Sequence, residues 1–263
     1  MVKESDYKDM KYILTSTMRT KIIISIYEKS KNLEDLRTEL EKPSATILHG
    51  LKELENLNYV KKLNKYYSLT SNGYMLAVNM IKLIENWYSI DRNKIFWNNH
   101  SLNDLPEESI KNLYQLKNSQ CISSTNKDLS KAYTTYMDLI SNCKNLKIIL
   151  PIYSENHMNK LIDLIKKGKT KSLEILTTEK VINSIKQGKK YKKALEEYKN
   201  IKLSVLDENI KIYLTVSEKF VSLNLFFKDG HYDDSQLLLD KTEEGIIWGN
   251  DLFNFYENKT VEK

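Results

Sequence analysis

The spacing of hydrophobic positions changes several times along the chain, and each change predicts an element. Ile22, Ile23, Ile26 and Tyr27 share one face and predict a helix from about Thr17 to Lys29. Asn32, whose side chain can accept from free helix N–H groups, then precedes LEDLRTEL, where Leu33, Leu36 and Leu40 recur at helical spacing. After the break at Glu41-Lys42-Pro43, Pro43 suits the first position of a new helix. In that helix, PSATILHGLKELENL, the residues Ile47, Leu51 and Leu54 mark the buried face. YVKKL and YYSLT follow as two short strands joined by Asn64-Lys65. Beyond Gly73 a long helix carries Leu76, Met80, Leu83, Trp87 and Ile90 in steps of four and three, beside a second stripe of Ala77, Ile81, Ile84 and Tyr88. So wide an apolar face calls for two partners: its own module fits one, and the same helix of a second subunit is expected as the other, the alternative being that both stripes bury inside one chain.

Polarity rises from Asn93 to Ser124, where Leu105-Pro106-Glu107-Glu108 starts a helix buried through Leu113 and Leu116. From residue 128 onward, helical patterns alternate with the strand-like runs LKIILPI and KSLEILTT. Three strands then follow in quick succession, IKLSVLD, IKIYLTVS and FVSLNLFF. EKVINSIKQGKKYKKALEEYKN reads as helical, and the last helix carries Ile247, Trp248, Leu252 and Phe255 on one face. The expected fold is α+β. Residues 1–72 form a helix, turn, helix and hairpin unit, 73–92 a linker and dimerisation helix, 93–127 a helical connector, and 128–263 an α/β domain with a mixed sheet.

The order helix, short turn, helix, hairpin is that of a winged helix-turn-helix, which places its second helix in the major groove of DNA. The residues off its buried face, Ser44, Thr46, His49 and Lys52, are candidates for base and phosphate contacts, and Ala45 or Leu48 for a thymine methyl. Lys61, Lys62, Asn64 and Lys65 place the chemistry for flanking phosphates on the hairpin. Between Lys42 and Lys65 five lysines face two glutamates, although the whole chain is only mildly basic at +6. The arginines are Arg19, Arg37 and Arg92. With none in the second helix, the expected target is not read through guanine. Arg19 and Lys21 stand where either a phosphate contact or a solvated charge fits.

No apolar run approaches the roughly 20 residues that span a bilayer, and no apolar leader core opens the chain, so a cytoplasmic location without membrane contact is expected. Cys121, Cys143 and the four scattered histidines lack metal-ligand spacing, and neither a metal nor a cofactor is expected. No Gly-x-Ser-x-Gly elbow, P-loop or dinucleotide pattern appears, which argues against an enzyme. The lysine clusters at 166–171 and 186–193 fit solvated surfaces. In KDGHYDD, Asp229, Tyr232 and Asp233 are candidates for an effector pocket or a subunit contact, while the Asp-Gly pair equally fits a plain turn.

SATILHGLKELENLNYVKK and YYSLTSNGYMLA resemble the recognition helix, wing and wing exit of archaeal and bacterial winged-helix regulators of the ArsR-like kind. HSLNDLPEE, SLEILTTEKV, LFFKDGHYDDSQLLL and EGIIWGNDLFNFY resemble the C-terminal domain of the archaeal methanogenesis-regulatory family of winged-helix proteins. Together these resemblances imply a transcriptional regulator of a methanogenic archaeon with a C-terminal domain for sensing or assembly. Its partners would be double-stranded DNA, a second copy of the chain, and an unknown small-molecule or protein effector. The α/β pattern also looks similar to the phospholipase D-like sheet of some archaeal sugar-responsive regulators, but the His-x-Lys motif of that superfamily is missing. The other reading of the same winged helix is a module that docks on a protein partner.

Overall fold

The computed structural model describes residues 4–187, 194, 197–206 and 210–260, which divide into two compact units between Ile84 and Glu85. The part of the predicted lysine-rich helix at 188–193, and Asp207 at the end of IKLSVLD, lie outside the described residues.

The first unit runs α1 (Glu4–Leu14), α2 (Thr17–Ser25), β1 (Lys31–Asn32), α3 (Leu33–Leu40), α4 (Ser44–Asn56), β2 (Val60–Leu63), β3 (Tyr66–Leu69) and the start of α5 (Ser71–Arg92). Asn32 caps α3 as its residue type predicts. Its side chain accepts from the Glu34 and Asp35 N–H groups at 2.8 and 3.0 Å, and the Asp35 carboxylate accepts from the Asn32 N–H at 3.1 Å. Pro43, expected as the first helical residue, stands one place earlier: its ψ of 142° is extended, and only its carbonyl joins the helix, accepting from Ile47. The predicted helix from Thr17 stops at Ser25 rather than near Lys29, because the chain must turn into β1. There Lys31 and Asn32 pair with Tyr67 and Tyr66 of β3, giving the hairpin a third strand. Ile22, Ile23, Leu36, Ile47, Leu51 and Leu54 are fully buried together. Gly50 lets α4 close on α2, since a Cβ there would lie 2.8 Å from the Ile22 Cδ1.

The second unit is built on a seven-stranded sheet of order β4-β10-β9-β8-β5-β6-β7. The strands are β4 (Gln120–Ser123), β5 (Asn145–Leu150), β6 (Ser172–Thr178), β7 (Ile201–Leu206), β8 (Ile212–Ser217), β9 (Val221–Leu225) and β10 (Gln236–Asp240). β5, β6 and β7 are parallel. β8 runs antiparallel to β5, β9 and β10 continue with antiparallel pairing, and β4, from earlier in the chain, closes that edge antiparallel to β10, so the sheet is mixed. β10 and β4 are not among the predicted strands. Alternation along the strands fills two layers. Leu146, Ile148 and Leu150 of β5 face α8 (Lys131–Ile140), α9 (Glu155–Lys166) and α10 (Glu179–Gln187). Ile212, Leu214 and Val216 of β8 face the opposite layer, made by α6 (Lys94–Asn99), α7 (Glu107–Lys111) and the last helix, α11 (Glu243–Glu257).

Two predicted faces shift. The helix expected after Pro106 breaks at Asn112 into α7 and a short 3₁₀ turn that buries Leu113 and Leu116. On α11 the buried residues are Trp248, Leu252, Phe253 and Tyr256, whereas Ile247 and Phe255 are exposed. Gly249 sets that rotation: a Cβ there would meet the Val221 Cγ2 at 2.5 Å, so only glycine lets the helix seat this close to the sheet.

Candidate nucleic-acid interface and interior pocket

On α4 the burial of Ile47, Gly50, Leu51 and Leu54 leaves Ala45, Leu48, His49, Lys52 and Asn56 along one exposed stripe. Thr46 is exposed beside that stripe, and Ser44 at the helix start is half-buried. Asn56 belongs to the stripe and escaped the sequence reading, which stopped at Lys52; helical spacing from His49 and Lys52 was the available signal. His49 keeps its Nε2 3.5 Å from the Glu53 Oε1.

Glu53 is not free to repel a polyanion. It accepts from the Tyr12 hydroxyl at 2.6 Å and from Arg19 at 2.7 Å, and these two bonds, the Tyr12 one foremost, hold its carboxyl below the usual range. Arg19 is therefore no phosphate contact. Its guanidinium is buried, paired with Glu53, donates to the Tyr12 carbonyl and stacks 3.8 Å above the Tyr12 ring. Helix α1, absent from the sequence expectation, supplies that lock. Lys21 remains exposed on α2.

The wing pairs Lys61 with Ser68 and Leu63 with Tyr66 across the turn Asn64-Lys65, and Asn64 takes the left-handed conformation at φ 56°. Lys61, Lys62, Asn64 and Lys65 are all exposed, and Lys62 lies 5.2 Å from the Tyr67 ring centroid. The candidate groups of the first unit thus fall into two exposed sets of one folded unit, a helix stripe and a hairpin tip. Along α5 the expected seam separates. Met80 is buried in the core of the first unit with Leu76 packed against it, while Leu83 and Trp87 are 57% and 68% exposed.

In the second unit a pocket of about 250 Å³ opens between α8, α9 and the sheet, beside the carboxyl end of β5. Tyr133, Tyr136, Tyr213, Tyr232, His157 and Asp234 contribute to its wall. His157 sits in the first turn of α9, whose cap Ser154 accepts from the His157 N–H at 3.4 Å. The His157 ring lies between two phenols, with Nδ1 2.6 Å from the Tyr213 hydroxyl and Nε2 2.9 Å from the Tyr136 hydroxyl. Tyr136 also meets the Thr215 hydroxyl at 3.1 Å. A neutral imidazole satisfies both contacts, donating through one nitrogen and accepting at the other.

Burial keeps this network uncharged. It lowers His157 from 6.5 to about 3, raises Tyr136 to about 12, and pushes Tyr213 and Tyr232 well above the phenol range. The unfolded chain takes up a proton at His157 as the pH falls below 6.5, and the folded chain does not until about 3. Stability from this residue is therefore complete above the unfolded value and is lost as pH drops through that window, at up to ~1.4 kcal/mol per pH unit. Denaturant titrations at pH 7 and pH 5 should show a steeper loss for the natural chain than for His157→Gln. Equal losses would place His157 in water.

Of the three residues predicted for an effector pocket, only Tyr232 lines this one. Asp233 is buried and accepts from the His100 Nε2 at 2.9 Å and from the Ser235 N–H at 2.8 Å. The other His100 nitrogen faces the Phe96 carbonyl at 2.6 Å, so the pair ties β9's exit to α6. Asp229 accepts from the His231 N–H at 3.0 Å in an exposed turn completed by Gly230 at φ 92°, the plain turn that an Asp-Gly pair favours. A second depression, of about 650 Å³, lies at the ends of β5 and β6 and is lined by Lys180 and Lys211 among others. Among the described residues no helix is long and apolar enough to cross a membrane, and no group of three His, Cys, Asp or Glu is placed to hold a metal ion.

Comparison with known proteins gives the same division. The N-terminal domain of methanogenesis regulatory protein FilR1 matches residues 7–87, and its middle domain matches residues 129–259. Methanogenesis regulatory protein FilR1 of Methanothrix harundinacea (strain 6Ac) is 23% identical over 260 residues, which cover 97% of this chain. The chain spans 58% of that relative's length. Among solved structures, TrmBL2, described as an archaeal chromatin protein with a novel mode of DNA binding, aligns with a TM-score of 0.43 at 13% identity, covering 97% of this chain and 99% of its own. PigF with SAH aligns at a TM-score of 0.25 and 11% identity over 79% of this chain and 67% of its own. The two domain matches follow the order and extent of the winged unit and the sheet domain, and the chain belongs to the methanogenesis regulatory protein FilR1 family.

Proposed function

We propose that the chain is a DNA-binding transcriptional regulator. The α4 stripe of Ala45, Leu48, His49, Lys52 and Asn56 would enter the major groove, with Ser44 and Thr46 at its edge. The wing lysines would neutralise adjacent phosphates. The observation that carries this reading is electrostatic: Lys52 on the stripe and Lys61, Lys62 and Lys65 on the wing are exposed, while Glu53, the carboxylate 3.5 Å from His49, is engaged by Tyr12 and Arg19. Fluorescence anisotropy with a labelled duplex in rising salt tests it. The expected result is binding that weakens linearly on logarithmic axes; no binding at low salt would sink it.

We also infer a homodimer through α5. Leu83, Ile84, Trp87 and Tyr88 are all exposed and stand at i, i+1, i+4 and i+5 along one face of that helix. A two-fold arrangement presents two α4 helices to half-sites about one helical turn apart, ~34–36 Å. Sedimentation of Leu83→Glu/Trp87→Glu should show a monomer where the natural chain is a dimer. A dimer that survives the change moves the interface elsewhere, to the second unit.

One observation favours the protein-docking alternative. At the wing tip Leu63 is 71% exposed, and Tyr66 beside it is half-exposed. If the wing docks on protein, Leu63→Ser weakens function and the lysine substitutions do not.

A further inference from the structure

We propose that the pocket beside β5 is a binding site for a small organic cation, of the methylated ammonium class. Four tyrosines line it, and three of them are packed ring to ring: Tyr136 and Tyr213, both against His157, have centroids 5.8 Å apart, and Tyr213 and Tyr232 6.0 Å apart. The negative faces of aromatic rings attract a positive charge most strongly where water is excluded, and methylated ammonium groups suit them because they have few or no N–H groups to satisfy. Asp234 adds a carboxylate at the same wall, and among the described residues it has no hydrogen-bonding or ionic partner of its own. Among the described residues no lysine or arginine lines the pocket, and its one imidazole is held neutral. An anion would find no counter-charge there.

The volume supports a small ligand. About 250 Å³ holds a head group with a few carbons and little more. The place in the fold supports a ligand too. β5 is parallel to β6 on one side and antiparallel to β8 on the other, and the chain leaving its carboxyl end, through Ile152 and Ser154, forms part of the wall. The neighbouring 650 Å³ depression differs in kind, because Lys180 and Lys211 line it.

The inference concerns the second unit alone and stands or falls apart from DNA binding. The test is calorimetric titration of the full chain, without DNA, with three probes: choline, its uncharged carbon isostere 3,3-dimethylbutan-1-ol, and inorganic phosphate. The expected result is saturable choline binding, at least ~tenfold tighter than the isostere, with no binding of phosphate. Asp234→Asn and Tyr133→Leu change exposed wall residues and should each weaken choline by about tenfold with melting temperature unchanged. Asp229→Asn, outside the wall, should leave it unaltered. Equal affinity for choline and the isostere would make the pocket merely apolar and overturn the assignment. So would phosphate binding without choline binding, or no saturable binding of any probe.

Discussion

Replacing Lys61, Lys62 and Lys65 together by alanine should weaken binding to any DNA duplex by roughly ten- to a hundredfold near 0.1 M salt. The three side chains are exposed on one short hairpin, and none is committed to a carboxylate among the described residues. If each neutralises one phosphate, the slope of log affinity against log salt should become shallower by about 2.7. The loss should be uniform across sequences, because phosphate contacts position the protein without reading bases. Substitutions on α4 should behave differently. His49→Ala and Lys52→Ala should narrow the gap between preferred and random duplexes, since they remove contacts to particular base edges. Salt-titrated anisotropy on one preferred and one scrambled duplex separates the two patterns. An unchanged slope in the triple-lysine variant would remove the wing from the interface.

Gly73→Ala should cost about 3 kcal/mol, the upper end of what an overpacked core position loses. A Cβ there would fall 1.9 Å from the Tyr59 carbonyl oxygen and 2.9 Å from its carbon. That carbonyl already accepts from the Thr70 N–H at 3.0 Å, and the Thr70 side chain caps α5 through the Gly73 N–H at 3.1 Å. Wing entry, wing exit and the long helix therefore meet at one point where only a hydrogen fits. Gly168→Ala makes a useful contrast, because nothing lies within 4 Å of its added methyl and only the φ of 64° resists it, at ~1 kcal/mol. Hydrogen exchange should show faster opening across residues 17–80 in Gly73→Ala, with the sheet of the second unit still protected. Tolerance of alanine at 73 would mean the wing exit yields where close packing says it should not.

Gly73 also shows where sequence reading stops. Thr70-Ser71-Asn72-Gly73 looks like a turn, and periodicity carries no sign that its glycine lies inside a helix against a carbonyl. Local signals were strong elsewhere in the first unit: Asn32 with Asp35 is a capping box, and Ile47, Leu51 and Leu54 are buried as their spacing requires. The roles set by distant partners were hidden. Arg19 reads as a free cation until α1 folds over it and Glu53 closes the pair. α11 reads as burying Ile247 and Phe255 until the contact between Gly249 and Val221 fixes its rotation. The pocket was the least legible part. Its residues come from α8, α9, β8 and the segment before β10, and only the sheet order brings Tyr136, His157, Tyr213 and Tyr232 together. Of the polar run that drew attention in the sequence, Tyr232 and Asp234 reached the pocket, whereas Asp233 between them is held by His100.

The most direct test of the regulator reading is selection of duplexes from a random library by the natural chain and by Ser44→Ala/His49→Ala/Lys52→Ala, followed by sequencing. The expected result is a motif of two half-sites about one helical turn apart that disappears in the variant, while weak, salt-sensitive binding persists through the wing. Enrichment of no motif by the natural chain, or of the same motif by both proteins, would contradict it.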